Sequence, residues 1–90
     1  MTGKDHARLA YGLASAPFGG QNHAFFMFME KALNFLKQER ATWAAFKYEE
    51  QQRAWERIER QYAAAIEYKC IDEFLEELER RYIEGKKLYD

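Results

Sequence analysis

Three arginines in the second half of the chain carry the clearest chemical signal in the sequence. Arg53, Arg57 and Arg60 stand at positions i, i+4 and i+7, which places them on one face of a helix. Guanidinium groups aligned in this way can bind phosphates, with an aromatic side chain nearby as a stacking surface. Glutamates interleave with these arginines and cancel most of the local field. A solvated ion-pair face is therefore the first interpretation, and a phosphate-binding face is the alternative.

The other reactive side chains form no catalytic or metal-binding motif. His6 and His23 are seventeen residues apart, and the chain has no Glu-x-x-His pair of the kind that builds a di-iron site in a helical bundle. Cys70 would need a neighbouring base and an electropositive setting to act as a nucleophile, and its position predicts a buried, inert thiol instead. We therefore predict a non-enzymatic protein with no catalytic, metal-binding or cofactor-binding residues.

The elements that position these residues are predicted to be helices. Between Gly20 and Gly85 there is no glycine and no proline, and side chains that favour helices dominate. The chain has no valine and few other β-branched residues, so a sheet lacks its preferred side chains. These features predict an all-α protein.

Three long helices are expected, over about 22–40, 42–69 and 72–87. Asn22 is a good N-cap, and an apolar stripe follows it in the first helix: Phe25, Phe26, Phe28, Met29, Ala32, Leu33 and Leu36. A bend near Ala41 with a new start at Thr42 is favoured. The alternative is one continuous helix over 23–69, about 70 Å long, which would require an oligomer to cover it. The second helix continues the apolar pattern from Trp43, and Gly85 is expected to end the third helix.

Residues 1–21 are predicted to form an irregular arm, followed by a helical domain over 22–90. The arm contains four of the five glycines and the only proline, Pro17. A short helix from about Asp5 to Ala14 is possible there, with Asp5 as its cap. Its weak apolar face would consist of Ala7, Leu9, Ala10 and Leu13.

Length and composition favour self-association in a reducing compartment. Ninety residues form one domain with a limited core, while 48% of the residues are hydrophobic. A homo-oligomer is therefore predicted. The single cysteine favours the cytoplasm. The longest strongly apolar run, 24–29, falls far short of the roughly 20 residues of a membrane helix, and the apolar run before Ala14 is too short for a secretory signal. We hypothesise an origin in a phage or another mobile element.

These features predict a protein-binding adaptor or inhibitor. Its predicted partner surface consists of Tyr48, Arg53 and Trp55, because residues 47–53 are polar nearly all round and interrupt the internal apolar seam. The alternative function is binding of a nucleic acid or an anionic ligand through Arg53, Arg57 and Arg60. The net charge of -1 argues against general attraction to nucleic acid.

Overall fold

The computed structural model describes residues 1–38 and 45–89. Within these ranges the chain forms four α-helices and no strand, which confirms the all-α prediction. The helices are α1, Gly3–Ser15; α2, His23–Lys37; α3, Glu49–Glu67; and α4, Ile71–Tyr89. A 3-10 turn, Ala16–Phe18, follows α1 and ends at Gly19. Gly19 has φ 76° and Gly20 has φ 124°, conformations that glycine adopts without strain.

The prediction of an irregular N-terminal arm is not confirmed, because the segment contains a helix with a fully buried face. A capping box starts α1: Asp5 N donates to Thr2 Oγ1 at 3.2 Å, and Thr2 N donates to Asp5 Oδ2 at 3.0 Å. The cap is therefore Thr2, and not Asp5. The buried face consists mainly of small residues, including Ala7, Ala10 and Ala14. Small side chains allow neighbouring helices to approach closely.

Helix α1 packs against two helices, parallel to α4 and antiparallel to α3. Along α4 the order of contacts is parallel: Gly3 meets Cys70, and Arg8 further along α1 meets Glu77. Along α3 the order is reversed, since His6 meets Gln61 and the later Leu13 meets the earlier Arg57. The sequence predicted α1 only as a possible short helix in an irregular arm. In the structure α1 packs between α3 and α4.

The apolar stripe predicted for α2 is confirmed. The buried residues of α2 are Phe25, Phe26, Phe28, Met29, Ala32, Leu33 and Leu36. Asn22 caps the helix as predicted, with its Oδ1 accepting from Phe25 N at 3.0 Å. The stripe faces an aromatic cluster in which Phe28 and Trp55 both contact Phe46, each with ring centroids 5.2 Å apart. These rings form the centre of the core.

The second long helix begins at Glu49 and not at the predicted position 42. Phe46 is 1% exposed, and Tyr48 before the helix has an extended backbone, with φ -97° and ψ 146°. The chain leaves helical geometry here because Phe46 turns into the aromatic cluster, while Gln52 Nε2 donates to its carbonyl oxygen at 2.9 Å. The predicted bend near Ala41, the start at Thr42 and the beginning of the seam at Trp43 lie outside the described residues.

Gly85 does not end the last helix. The helix α4 runs through it to Tyr89. A Cβ at position 85 would meet Tyr11 Oη and would lie 2.8 Å from Gln21 Oε1. Gly85 therefore leaves room for the Tyr11–Gln21 hydrogen bond, which is 2.9 Å long. Burial raises the pKa of the Tyr11 hydroxyl to about 12, so it keeps the proton that it donates.

Two glycines of α1 should respond oppositely to alanine. A Cβ on Gly3 would lie 2.7 Å from Cys70 O and 3.1 Å from Phe74 N. Since these are backbone atoms, Gly3→Ala is expected to destabilise the fold by about 1–3 kcal/mol. Gly12 has open space around it, so Gly12→Ala should stabilise the helix by about 0.5–1 kcal/mol. Urea unfolding of both variants measures this, and shifts of the same sign would contradict the packing described for α1.

Candidate functional site

The predicted partner residues Tyr48, Arg53 and Trp55 do not form one accessible surface. Trp55 is 1% exposed, because it shares an inward helix face with Ile58. It is therefore removed from the candidate surface. Tyr48 is 63% exposed, and the Arg53 side chain, 62% exposed, pairs with Glu49 at 2.5 Å. Arg53 lies within α3, whereas Tyr48 precedes the helix with an extended backbone, so the two residues do not belong to one helix face.

One arginine of the predicted face, Arg57, connects α3 to α1. Arg53, Arg57 and Arg60 lie along one side of α3, as their spacing predicts. Arg57 Nη1 donates to the carbonyl oxygen of Leu13 at 2.8 Å. Arg60 is exposed. One of the three guanidinium groups thus bridges two helices and another is paired with Glu49, which reduces what this face offers to a phosphate.

The two histidines and the cysteine have separate surroundings. His6 is 7% exposed, its Nδ1 lies 2.9 Å from Gln61 Oε1, and its ring stacks on Tyr68. His23 is exposed, and Cys70 is half-buried at the joint between α3 and α4. Within 1–38 and 45–89, no group of three or more His, Cys, Asp or Glu is placed to hold a metal ion. His6 serves as a packing contact between α1 and α3.

The outer side of α1 carries an apolar strip that we call the α1 ridge: Leu9, Gly12, Leu13 and Ala16. Leu9 and Leu13 are 41% and 37% exposed and lie one helical turn apart on the same side. Gly12 and Ala16 are also exposed. Apart from its own helix backbone and its chain neighbours, nothing lies within 4 Å of the position that a Cβ on Gly12 would occupy. The middle of the ridge is therefore flat and open.

This pairing of exposed leucines is unusual in the chain. The other large hydrophobic residues exposed in the described parts are Met1, Met27, Tyr48, Ile66, Tyr68, Ile83, Leu88 and Tyr89. No two of these are three or four residues apart, so none shares a helical stripe with another. Exposed apolar residues scattered singly are normal, whereas a contiguous exposed apolar patch is a candidate contact surface. Met1 and Tyr68 also line one surface cavity with His6, but they belong to different segments and not to one helix face. The α1 ridge is the best candidate on this criterion.

Positive side chains border the α1 ridge on both sides. On the side of α3, Arg57 is anchored at Leu13, and Arg60 follows it along the helix. On the side of α4, Arg8 has a side chain that is 49% exposed, with its Nε 3.5 Å from Glu77 Oε2. The ridge is therefore apolar along its length, with a basic edge toward α3 and the half-exposed Arg8 on its edge toward α4.

The carboxylate beside Arg8 is shared by three arginines. Glu77 is 3% exposed; Arg80 binds both of its oxygens, at 3.0 and 2.6 Å, and Arg81 Nε lies 3.2 Å from Oε2. These arginines, Arg80 first, hold the pKa of Glu77 at about 2, below its ordinary 4.5. Arg80 also pairs with Glu84 at 2.6 Å. One turn earlier on the same side of α4, Glu73 Oε1 accepts from Lys4 N at 3.0 Å, so three guanidinium groups and three carboxylates line this edge of the α1 ridge.

Sequence reasoning placed the two leucines on the wrong side of α1. It grouped Leu9 and Leu13 with Ala7 and Ala10 on one apolar face, but only the alanines are buried. A usable signal was present in the small residues at 3, 7, 10 and 14, whose spacing follows one helical stripe. A stripe of small residues buried against two helices leaves larger apolar residues outside.

None of the protein families, curated proteins or solved structures compared with this chain matches it. Of the four described helices, none combines the length and apolar composition that crossing a bilayer requires.

Proposed function

We propose that this protein is a non-enzymatic protein-binding module, an adaptor or inhibitor, and that it docks its partner on the α1 ridge. The observation that carries the proposal is the pair of exposed leucines, Leu9 and Leu13, on either side of the open position at Gly12. A partner covering this strip would bury apolar surface without first displacing any part of the chain described around Gly12. Such contacts supply most of the energy of a helical docking surface.

Rigidity of the ridge supports the same function. The helix that carries it is capped by Thr2 at its start and is tied to α3 by Arg57 and to α4 by Arg8. A surface that is already ordered loses little conformational entropy on binding. The ridge is thus preorganised, and a partner can bind it tightly even when the contact area is small.

The double variant Leu9→Gln/Leu13→Gln tests the proposal. Glutamine keeps helix propensity but removes the apolar contact, so the variant should retain its native partner about tenfold more weakly or worse, as loss of an anchor does. Affinity capture from the native host, followed by a measured dissociation constant for the captured protein, gives the result. Ile83→Gln is the matched control, because Ile83 is 44% exposed on α4.

Unchanged binding by the double variant would contradict the assignment of this surface. Tyr48→Ala belongs in the same experiment. If binding follows Tyr48 and not the leucines, the partner docks at the start of α3, as the polar stretch around that residue first suggested.

The second candidate function is binding of nucleic acid or an anionic ligand through Arg53, Arg57 and Arg60. Their common face on α3 favours it, and the pairing of Arg53 with Glu49 weakens it. This function predicts that affinity falls steeply with added salt, with a slope that drops by about one for each arginine removed. Binding through the α1 ridge predicts a shallower dependence.

Self-association is proposed separately from partner binding, and with less support than the composition suggested. The apolar stripe of α2 and the aromatic cluster are buried within one copy of the chain, so they do not require a second copy. In a symmetric dimer through the α1 ridge, Arg8 and Arg57 of one chain would face the same residues of the other, and like charges repel. Sedimentation equilibrium distinguishes a dimer from the 10.8 kDa monomer.

A further inference from the structure

We propose that the segment received by the α1 ridge is an acidic amphipathic helix of another protein, with its apolar side on Leu9 and Leu13 and its carboxylates toward Arg8 and Arg57. This inference rests on the proposed function and adds the chemistry of the partner. It is drawn from three properties of the ridge: its charge, its shape and its length.

The charge of the borders selects an anionic partner. Arg57 is held in place at the carbonyl oxygen of Leu13, a neutral acceptor that leaves its positive charge uncompensated. Arg8 Nε lies 3.5 Å from Glu77 Oε2, and Arg80 and Arg81 bind that same oxygen more closely. The α3 border therefore presents unbalanced positive charge to whatever covers the leucines, and the half-exposed side chain of Arg8 adds to it on the α4 border. Complementary potentials determine which partners associate.

One carboxylate lies on the outer side of α1, and it is engaged. Asp5 accepts from the backbone and side chain of Thr2 in the capping box, and these bonds lower the pKa of its carboxyl group. It stands at the end of the ridge, one turn before Leu9. A basic partner would meet Asp5 at one end, the arginine-bound Glu77 and Glu73 on the α4 edge, and Arg57 on the α3 edge. The α3 edge disfavours such a partner.

The shape of the ridge suits a helix laid along it. Leu9 and Leu13 project one turn apart, with the exposed, side-chain-free position of Gly12 beside them. Glycine in a helix interior costs about 1 kcal/mol relative to alanine, and at this position no internal contact explains it. A glycine at a crossing point allows the backbone of a second helix to approach closely, and helices then pack with apolar side chains at i, i+3, i+4 and i+7.

The length of the ridge matches about two helical turns, from Leu9 to Ala16. This is enough for two or three apolar side chains of a partner helix, with one acidic residue on each side of every turn. An anionic membrane has the right charge for the same borders. The exposed face of α1 has only two large apolar residues, which is narrower than the apolar face by which a helix binds a membrane, so a helix is the occupant we propose.

Two synthetic peptides of roughly 15 residues test the partner class. Both carry leucine at i, i+3, i+4 and i+7 on an alanine-rich helix; one has glutamate at the flanking positions, and the other has lysine at the same positions. Dissociation constants are measured with the full chain by fluorescence anisotropy at two salt concentrations, with phosphatidylglycerol vesicles as a third probe. The acidic peptide is expected to bind about tenfold more tightly than the basic one, with the difference shrinking as salt rises.

Two charge variants locate the effect, and urea unfolding of each shows whether α1, which Arg8 and Arg57 tie to its neighbours, stays in place. Arg8→Gln and Arg57→Gln should each reduce the preference for the acidic peptide by about threefold, as a rim charge does. Lys87→Gln, an exposed position on α4, is the matched control and should leave the preference unchanged. Amide chemical shifts on adding the acidic peptide should move at Leu9, Gly12 and Leu13.

The outcomes separate this inference from the proposed function. Equal binding of both peptides, preference for the basic one, shifts away from α1, or binding of the vesicles alone would each overturn the acidic-helix proposal. If no peptide binds but Leu9→Gln/Leu13→Gln still loses the native partner, the surface is correct and the partner class is wrong. If that double variant keeps its native partner, the proposed function itself fails.

Discussion

Trp55→Ala is expected to lower the free energy of unfolding by about 3–5 kcal/mol, as large-to-small changes at buried aromatic positions do. Trp55 is 1% exposed, and its ring contacts Phe46 at 5.2 Å and Phe35 at 6.4 Å between centroids. Alanine would leave a cavity between α2, α3 and the residues before α3. Urea unfolding followed by circular dichroism measures the loss, and a change below about 1 kcal/mol, typical of surface positions, would contradict the burial of this residue.

Trp55→Phe is the matched control for this prediction. The indole N–H of Trp55 is buried and has no hydrogen-bond partner in the described part of the chain. Burying such a donor costs about 1–3 kcal/mol. Phenylalanine keeps an aromatic ring in the cluster and removes the unpaired group, so it is expected to destabilise the fold by less than about half as much as alanine does.

Acid is expected to remove about 3 kcal/mol of stability through Glu77 alone, because its pKa falls from 4.5 to about 2 on folding. Since the folded-state pKa is the lower one, the unfolded chain binds more protons between these two values. The stabilisation is therefore complete above about pH 5 and is lost as the pH falls through 4.5 toward 2. The free energy of unfolding, measured by urea titration at several pH values, should drop across this range.

Glu77→Gln should flatten that pH dependence and lower the stability at neutral pH. The amide cannot carry the charge that binds Arg8, Arg80 and Arg81. Glu79→Gln is the matched control on the same helix: Glu79 pairs with Lys37 at 2.6 Å, and its side chain is 41% exposed. The control should keep the wild-type pH dependence. An unchanged profile in Glu77→Gln would show that the cluster does not stabilise the fold.

The buried face of α2 could be predicted from the sequence because its side chains are large. Its stripe of phenylalanine, methionine and leucine has strong contrast with the polar side, so the predicted and observed buried sets agree. The same reasoning failed for α1, whose buried face is mostly glycine and alanine. Small residues differ little in hydropathy from the polar side of a helix. They contribute to packing because they let neighbouring helices approach closely, and the position of those helices is known only from the tertiary structure.

The start of α3 was missed for a related reason. Residues 46–48 have no glycine or proline, and nothing local interrupts a helix there. The interruption arises because Phe46 fits against Phe28 and Trp55, and burial of an aromatic ring exceeds the weak local preference for helix. Contacts between residues distant in the sequence decide this boundary.

The candidate site was only partly predictable. The spacing of Arg57 and Arg60 on one helical face was evident, but the contact of Arg57 with Leu13 depends on how α1 lies against α3. Trp55 was assigned both to the apolar seam and to the partner surface beside the polar stretch 47–53, and the structure shows it only in the core. A surface built from two helices cannot be read from the pattern of either one alone.

The dissociation constant of the native partner for Gly12→Gln tests the central claim most directly. A glutamine side chain at position 12 projects into open space, changes no charge, and favours the helix, so it can disturb only a molecule docked on the α1 ridge. We expect binding to weaken about tenfold or more, with the free energy of unfolding equal to or above that of the wild type. Binding at wild-type strength by this folded variant would show that the partner does not dock on the α1 ridge.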